Sequence, residues 1–321
     1  MTVRPTSVRA AAATYVQLPR PLFSRLPFDY RRIPEKARSG LLRLAATRAA
    51  PAFPRWPIET TIDATPSGID YAGKRFALLL THDIDSRAEL DLIEPIRARE
   101  RELGIRSAFG FIPEMTWPTD RLVDTLLGEG CQVYWHDLAH DAQLPWTTAQ
   151  EVRQRIAAID AASTWAPRIT TFRSGQLLMS PSLLSVLGER FAIDLSIPDS
   201  ERGGPYGTVA GCGSVVPFRI GRLLELPMTM PQDYYLARVF GLNPRSIYDV
   251  WSVKLDHIAR VGGVAVLNSH PVWINPVDRH AAGMWAMYQR FLEVAVARDD
   301  VLVSTPDEVS RAISASLDGA A

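Results

Sequence analysis

The stretch "FALLLTHDIDSR", residues 76–87, governs how the rest of the chain is read. Five consecutive apolar residues lead into Thr81, His82, Asp83, Ile84 and Asp85. An unbroken apolar run of this length predicts a strand buried on both faces. Successive strand side chains alternate, so Asp83 and Asp85 point to one face and Ile84 to the other. Two like charges side by side at the mouth of a core cost free energy unless a cation or a proton resolves them. The stretch therefore calls for a metal or an acid/base pair.

Outward from this run the pattern repeats. Short apolar runs recur at 107–112, 131–136, 169–174, 191–196, 223–228, 263–269 and 301–305. Most of the gaps carry helix-like segments, such as "TDRLVDTLLGEG" and "SIYDVWSVKLDHIARVGG". Gly104, Gly130 and Gly262 stand where helices need a left-handed terminating residue. Strand and helix in alternation imply a parallel sheet, and seven or eight such units favour a distorted parallel (β/α) barrel over an open sheet. The chain carries neither the glycine fingerprint of a dinucleotide-binding fold nor a P-loop. The expected division is an N-terminal arm and proline-rich lead-in over 1–70, then the barrel over 71–321.

Lys plus Arg equals Asp plus Glu at 35 each, so net charge gives no reason to expect nucleic acid as a partner. The two cysteines, Cys131 and Cys212, offer no disulfide framework. No apolar stretch is long enough to span a bilayer, and prolines interrupt the N-terminus before any secretory apolar region forms. A cytoplasmic location is the expectation. Residues 1–50 hold ten Arg and Lys against only Asp29 and Glu35. The arm is thus a candidate peripheral contact at the inner membrane face, and more simply a helical appendage packed on the barrel.

In β/α barrels chemistry collects at the C-terminal strand ends, and here those ends are polar. The first carries Asp83 and Asp85, the third runs into "HDLAH", the fourth ends at Arg173, the fifth holds Asp194 with Asp199 following, and the seventh ends in "NSHPVW" with His270. His136 and His140 are four apart, the spacing that places two imidazoles on one face of a helical turn. One added carboxylate makes a two-histidine, one-carboxylate set, which leaves coordination positions open for water and substrate. His82 points away from the aspartate face, as a packed histidine would.

At this point the chain resembles the polysaccharide deacetylases, carbohydrate esterases that share the NodB homology domain. The motifs "THDID", "HDLAH", "FRSG", "DLSIPD" and "LNSHP" follow in that family's order over residues 76–306. The resemblance is to the branch with a D-x-D first motif, since Ile84 separates the two aspartates. The chain departs from the pattern after Arg173, where Ser174 and Gly175 stand, and before His270, where Ser269 stands. The resemblance implies that Asp85, His136 and His140 bind a divalent metal, with zinc the expected ion, and that Asp83 is the base. It further implies that Arg173 pairs with Asp83, that His270 protonates the leaving amine, and that Asp194 or Asp199 orients His270.

The implied activity is removal of an N-acetyl or similar N-acyl group from an amino sugar, with a glycan precursor as partner. The stretch 204–241 reads as a long loop or hairpin, with Phe218, Arg219, Gln232, Asp233 and Tyr234 as candidate sugar contacts. Three other readings stay open on the residues alone. A glycosyltransferase also uses D-x-D, but leaves the three histidines without roles. A glycan-binding barrel that has lost turnover would not need both base and acid. An amidohydrolase for a non-sugar amide would need the same groups.

Overall fold

The computed structural model describes residues 32–49, 66–199 and 211–318, with short pieces at 2–3, 15–16 and 25. Most of the expected proline-rich lead-in, and residues 204–210 of the expected loop, lie outside the described residues.

The opening run forms β1 (Phe76–Ile84), all nine residues of which are buried. The other strands of the main sheet are β2 (Ala108–Phe111), β3 (Gln132–His136), β4 (Thr171–Arg173), β5 (Ile193–Asp194), β6 (Phe218–Ile220), β7 (Leu223–Glu225), β8 (Val264–Ser269) and β9 (Val301–Val303). They lie in the order β8-β1-β2-β3-β4-β5-β7-β6, with β9 on β1. Every pairing is parallel except β6 with β7. Helices α1 (Glu35–Ala49), α2 (Ile93–Glu102), α3 (Asp120–Gly128), α4 (Ala149–Ala162), α5 (Pro181–Arg190), α6 (Pro244–Val261), α7 (Ala282–Val296) and α8 (Pro306–Asp318) account for the helical segments. Thr119, Thr148, Ser180 and Asn243 begin four of them by accepting a hydrogen bond from the first turn.

β1 shows why the run is apolar at every position. Ala77 and Leu79 face the barrel interior with Val264, Val266, Leu195 and Leu226. Leu78 and Leu80 face outward to Trp251, Leu255 and Phe291 beneath α6 and α7. Val309 and Ile313 of α8 join the interior cluster.

The expected run at 223–228 is one arm of an antiparallel hairpin. Ile220 pairs with Leu223 across a two-residue turn, and Gly221 supplies its positive φ of 58°. That hairpin ends the sheet, so the barrel closes by other means. Met230 N–H donates to Val266 O at 3.1 Å, and Val264 N–H donates to Val215 O at 2.9 Å. Thr229 Oγ1 donates to Val264 O at 2.7 Å and accepts from Val266 N–H at 3.0 Å. A side chain and irregular backbone complete the seam against β8, and the fold is a distorted (β/α) barrel.

The arm contributes α1, which packs Leu42 against Tyr235 and Val239. No helix among the described residues is long and apolar enough to cross a membrane.

Candidate active site

The first cluster is set by strand register. Asp83 lies opposite Gly110, and Gly110 opposite Tyr134, so the three form one row across β1, β2 and β3. A Cβ at Gly110 would sit 2.3 Å from the Tyr134 ring. The missing side chain lets the tyrosine hydroxyl reach over β2 and donate to Asp83 Oδ1 at 2.5 Å. Arg173, fully buried at the end of β4, donates through Nη1 to Asp83 Oδ1 at 3.0 Å, to Tyr134 Oη at 2.8 Å and to Asn268 Oδ1 at 2.9 Å. Its Nη2 donates to Thr81 Oγ1 at 2.9 Å and its Nε to Leu195 O at 3.2 Å. Asn268 Nδ2 donates to Asp83 Oδ2 at 2.6 Å. Burial by itself would push the Asp83 carboxyl up, but Arg173, His136 and His270 outweigh it and hold the group well below the usual carboxylate range. Asp83 is therefore ionised and its rotamer is fixed.

The second cluster joins Asp85, just past β1, with His136, the last residue of β3, and His140. Their candidate donor atoms all lie within 4.8 Å of one another. Asp85 Oδ1 is 3.2 Å from His136 Nε2 and 3.8 Å from His140 Nε2. That oxygen is sealed from solvent without an aligned hydrogen bond, the condition a cation would relieve. Donors around a first-row divalent ion held at about 2.0–2.2 Å sit roughly 3–4 Å apart, so this set fits one. Burial alone would raise the Asp85 carboxyl, and His140 and His136 instead hold it well below its ordinary range.

The two histidines do not share a helical turn, contrary to what their spacing predicts. His136 is a strand residue, and the chain after it turns back through Asp137, His140 and Ala142, all with φ between 55° and 63°. Such left-handed non-glycine residues cost energy that the surroundings must cover. Asp137 N–H donates to Arg173 O at 2.7 Å and Leu138 N–H to Asp137 Oδ1 at 2.6 Å, which holds the turn. Gly175 makes room for it, since a Cβ there would lie 2.3 Å from Asp137 Oδ2 and 2.9 Å from the His140 ring. The departure from the family pattern after Arg173 thus has a steric reason.

Across the cleft, His270 follows β8. Its Nδ1 lies 2.7 Å from Asp233 Oδ1, and its backbone N–H donates to Asp233 Oδ2 at 2.8 Å. Burial would lower the imidazole's pKa, but Asp233, with smaller help from Asp85 and Asp83, reverses this and lifts it to about 10. His270 Nε2 points toward Asp85 Oδ2 at 3.9 Å. Asp83, Asp85, His136, His140 and His270 thus share a single cleft of about 450 Å³. Glu89 borders it and ties two loops together: Ser86 N–H donates to Oε2 at 2.8 Å and Val272 N–H to Oε1 at 3.3 Å. Burial and Asp85 push the Glu89 carboxyl up to about 7.

Several expected placements are corrected. Asp233, not Asp194 or Asp199, bonds His270. Asp199 is paired with the buried Lys254 of α6, and Asp194 accepts from Ser196 Oγ at 2.5 Å beside Glu225 on β7. Both carboxylates are held by these other partners, and neither bonds His270. Of the expected sugar contacts, Gln232 and Tyr234 line the cleft. Phe218 is buried in the outer core under the helices, and Arg219 stands on the terminal hairpin, so neither borders it. His82 faces outward as alternation requires, bonded to Glu100 at 2.9 Å and to Ser269 at 3.0 Å. Tyr134, Asn268 and Glu89 were not singled out from the sequence. Tyr134 shares the His136 face of its strand by period two, and "SRAE" at 86–89 is a legible capping box.

No protein-family model matches the chain, and no curated protein matches it. Solved structures do. A proposed polysaccharide deacetylase from Mycobacterium smegmatis is similar at a TM-score of 0.60 and 18% identity, covering 78% of this chain and 95% of its own. The fold is that of the polysaccharide deacetylases. Puue allantoinase shares this fold at a TM-score of 0.58 and 14% identity, covering 79% of this chain and 95% of its own. A proposed polysaccharide deacetylase from Pseudomonas aeruginosa PAO1 follows at 0.57 and 12% identity, with 74% and 91% covered.

Proposed function

We propose that the chain is a metal-dependent hydrolase that removes an N-acetyl or similar N-acyl group from an amino sugar of the glycan-precursor kind. The observation that carries this reading is the juxtaposition in one cleft of a carboxylate held ionised, Asp83, a donor set fit for a cation, and an imidazole held protonated, His270. An amide carbonyl resists water at neutral pH, so hydrolysis needs an activated water, a polarised carbonyl and a proton for the departing amine.

Asp85, His136 and His140 would hold the metal, and zinc suits their nitrogen and oxygen donors. A divalent cation there supplies Lewis acidity toward the acyl oxygen and lowers the pKa of a nearby water. Asp83, with Tyr134, Arg173 and Asn268 fixing its oxygens, takes the proton from the attacking water. His270, oriented by Asp233, delivers a proton to the amine nitrogen. Gln232 and Tyr234 border the volume the sugar would occupy. The D-x-D transferase alternative wants a nucleotide-binding half ahead of Asp83, yet β1 is the first strand of the main sheet among the described residues.

The test pairs metal content with acetate release from N-acetylglucosamine and its esters. Wild type is expected to hold about one first-row ion per chain. His136→Ala should lose both ion and activity. Asp83→Asn should keep the ion while turnover falls ~100-fold or more, the usual scale for removing a general base. A folded wild type that binds no first-row metal would sink the reading, and hydrolysis of allantoin in place of any N-acetyl sugar would redirect it to cyclic amides.

A further inference from the structure

The barrel does not complete its own cleft. Helix α1, which lies outside the span of the family resemblance, forms part of the wall: Arg38 and Leu42, one turn apart, both border the cavity that holds the catalytic groups. The helix is anchored rather than merely adjacent. Leu42 is 6% exposed and packs on Tyr235 and Val239, the two ends of a π-helical turn. Arg43 Nε donates to Arg238 O at 2.8 Å from the same turn. The Arg238 guanidinium in turn covers the Trp273 ring at 4.5 Å, and Trp273 lies 5.8 Å from Tyr234, both rings bordering the cleft.

Among the groups that line it, Asp83, Asp85 and Glu89 stand with His136, His140 and His270, and the wall made by α1 adds Arg38. Across residues 32–49 the basic side chains are Arg32, Lys36, Arg38, Arg43 and Arg48, against the single acid Glu35. An anionic group on the substrate would be drawn toward the basic wall. The aromatic rings that border the cleft offer flat faces for a sugar ring.

Resting on the N-deacylase reading, we propose that Arg38 is a specificity-determining residue that binds an anionic group, a phosphate ester or a carboxylate, carried by the amino sugar at the end away from its N-acyl group. α1 is then part of the substrate site. A guanidinium suits this role because its paired N–H groups match the oxygens of phosphate and carboxylate. A cavity of about 450 Å³ bordered by α1 has room for a single charged sugar unit.

The experiment compares kcat/KM for N-acetylglucosamine 1-phosphate, N-acetylglucosamine bearing a carboxylate, and neutral N-acetylglucosamine, in wild type, Arg38→Ala and Arg38→Lys. Binding of glucosamine 1-phosphate is measured alongside by calorimetry, which needs no turnover. Wild type should favour at least one charged sugar over the neutral one by about ten- to a hundredfold, the scale of a charge-assisted hydrogen bond. Arg38→Ala should bring that ratio close to one through KM, and Arg38→Lys should restore part of it. Which charged sugar is preferred separates phosphate from carboxylate. Leu42→Asp, which detaches the helix, should lose the preference as Arg38→Ala does. An unchanged ratio in Arg38→Ala, or no preference in wild type, overturns the proposal. Tight, Arg38-dependent binding of the sugar phosphate with no acetate released from any compound would overturn the deacylase reading and leave the anion site standing.

Discussion

Asp83 and the pair Asp194 and Glu225 belong to one barrel and are sealed from water to nearly the same degree, at 2%, 0% and 0% exposure. Their surroundings drive them in opposite directions. Asp83 accepts from three neutral or charged donors and sits beside Arg173, and it is held below the usual carboxylate range. Asp194 and Glu225 face each other on β5 and β7, and one oxygen of each has no donor of its own. Burial lifts Asp194 to about 6, and burial with the charge of Asp194 lifts Glu225 well above its ordinary value. The pair is therefore best described as a carboxyl and a carboxylate sharing one proton. Depth alone makes a carboxyl neutral; a fixed cation and directed donors make it an anion. Both clusters lie at strand ends, but Asp83 borders the cleft and Asp194 and Glu225 do not.

The largest effect expected from this contrast is at Arg173. Arg173→Ala leaves Asp83 buried without its cation, and removing one partner of such a pair costs about 3–5 kcal/mol. Urea unfolding should show a loss of that size together with a collapse of turnover. A loss below ~1 kcal/mol would mean that Asp83 does not depend on the guanidinium.

A smaller effect is expected at Asp194, and its sign follows from linkage. The folded state holds this proton more tightly than the unfolded chain, where the group has its ordinary value of 3.8. The resulting stability is present below about pH 4 and is lost as pH rises through about 6. Asp194→Asn removes that titration. The difference between variant and wild type should shift in the variant's favour by roughly 1–3 kcal/mol between pH 4 and pH 6.5. Parallel stability curves would show that the pair does not bind an extra proton in the fold.

The smallest effect is expected at Glu225. Its Oε1 accepts from Ile197 N–H at 2.9 Å, and its other oxygen faces Asp194. Gln keeps the acceptor and offers an N–H where the shared proton was, so Glu225→Gln should change stability at neutral pH by less than about 1 kcal/mol. A large gain in unfolding measurements would place both carboxyls of the wild type in the charged state and erase the contrast.

The frame of this molecule was legible because its signals are local. The unbroken apolar run of β1 needs burial on both faces, and alternation alone puts Asp83 and Asp85 on one side and His82 on the other. The positions of His136, Arg173 and His270 at strand ends follow from the same logic. What was not legible depends on distance across the fold. Asp233 reaches His270 only because the chain from 228 to 230 runs beside β8, a pairing that leaves no mark in either segment. The shape of the turn after His136 depends on Gly175, almost forty residues on, leaving it space. Tyr134 reads as an ordinary strand aromatic until Gly110 is seen beneath it. The hairpin at 218–225 hid its first arm in three residues, too few to establish a period.

The irregular seam at Thr229 has one more consequence. A closed barrel normally distributes its closure over a full ladder, but here the Thr229 hydroxyl and one backbone bond from Met230, with a second backbone bond at Val215, join irregular segments to β8. The segment from Thr229 leads within four residues to Asp233, and β8 leads directly to His270. The contact between that carboxylate and that imidazole therefore sits on top of the seam and clasps it. An opening of the barrel along this seam would part the His270 imidazole from the Asp233 carboxylate that lies 2.7 Å from it.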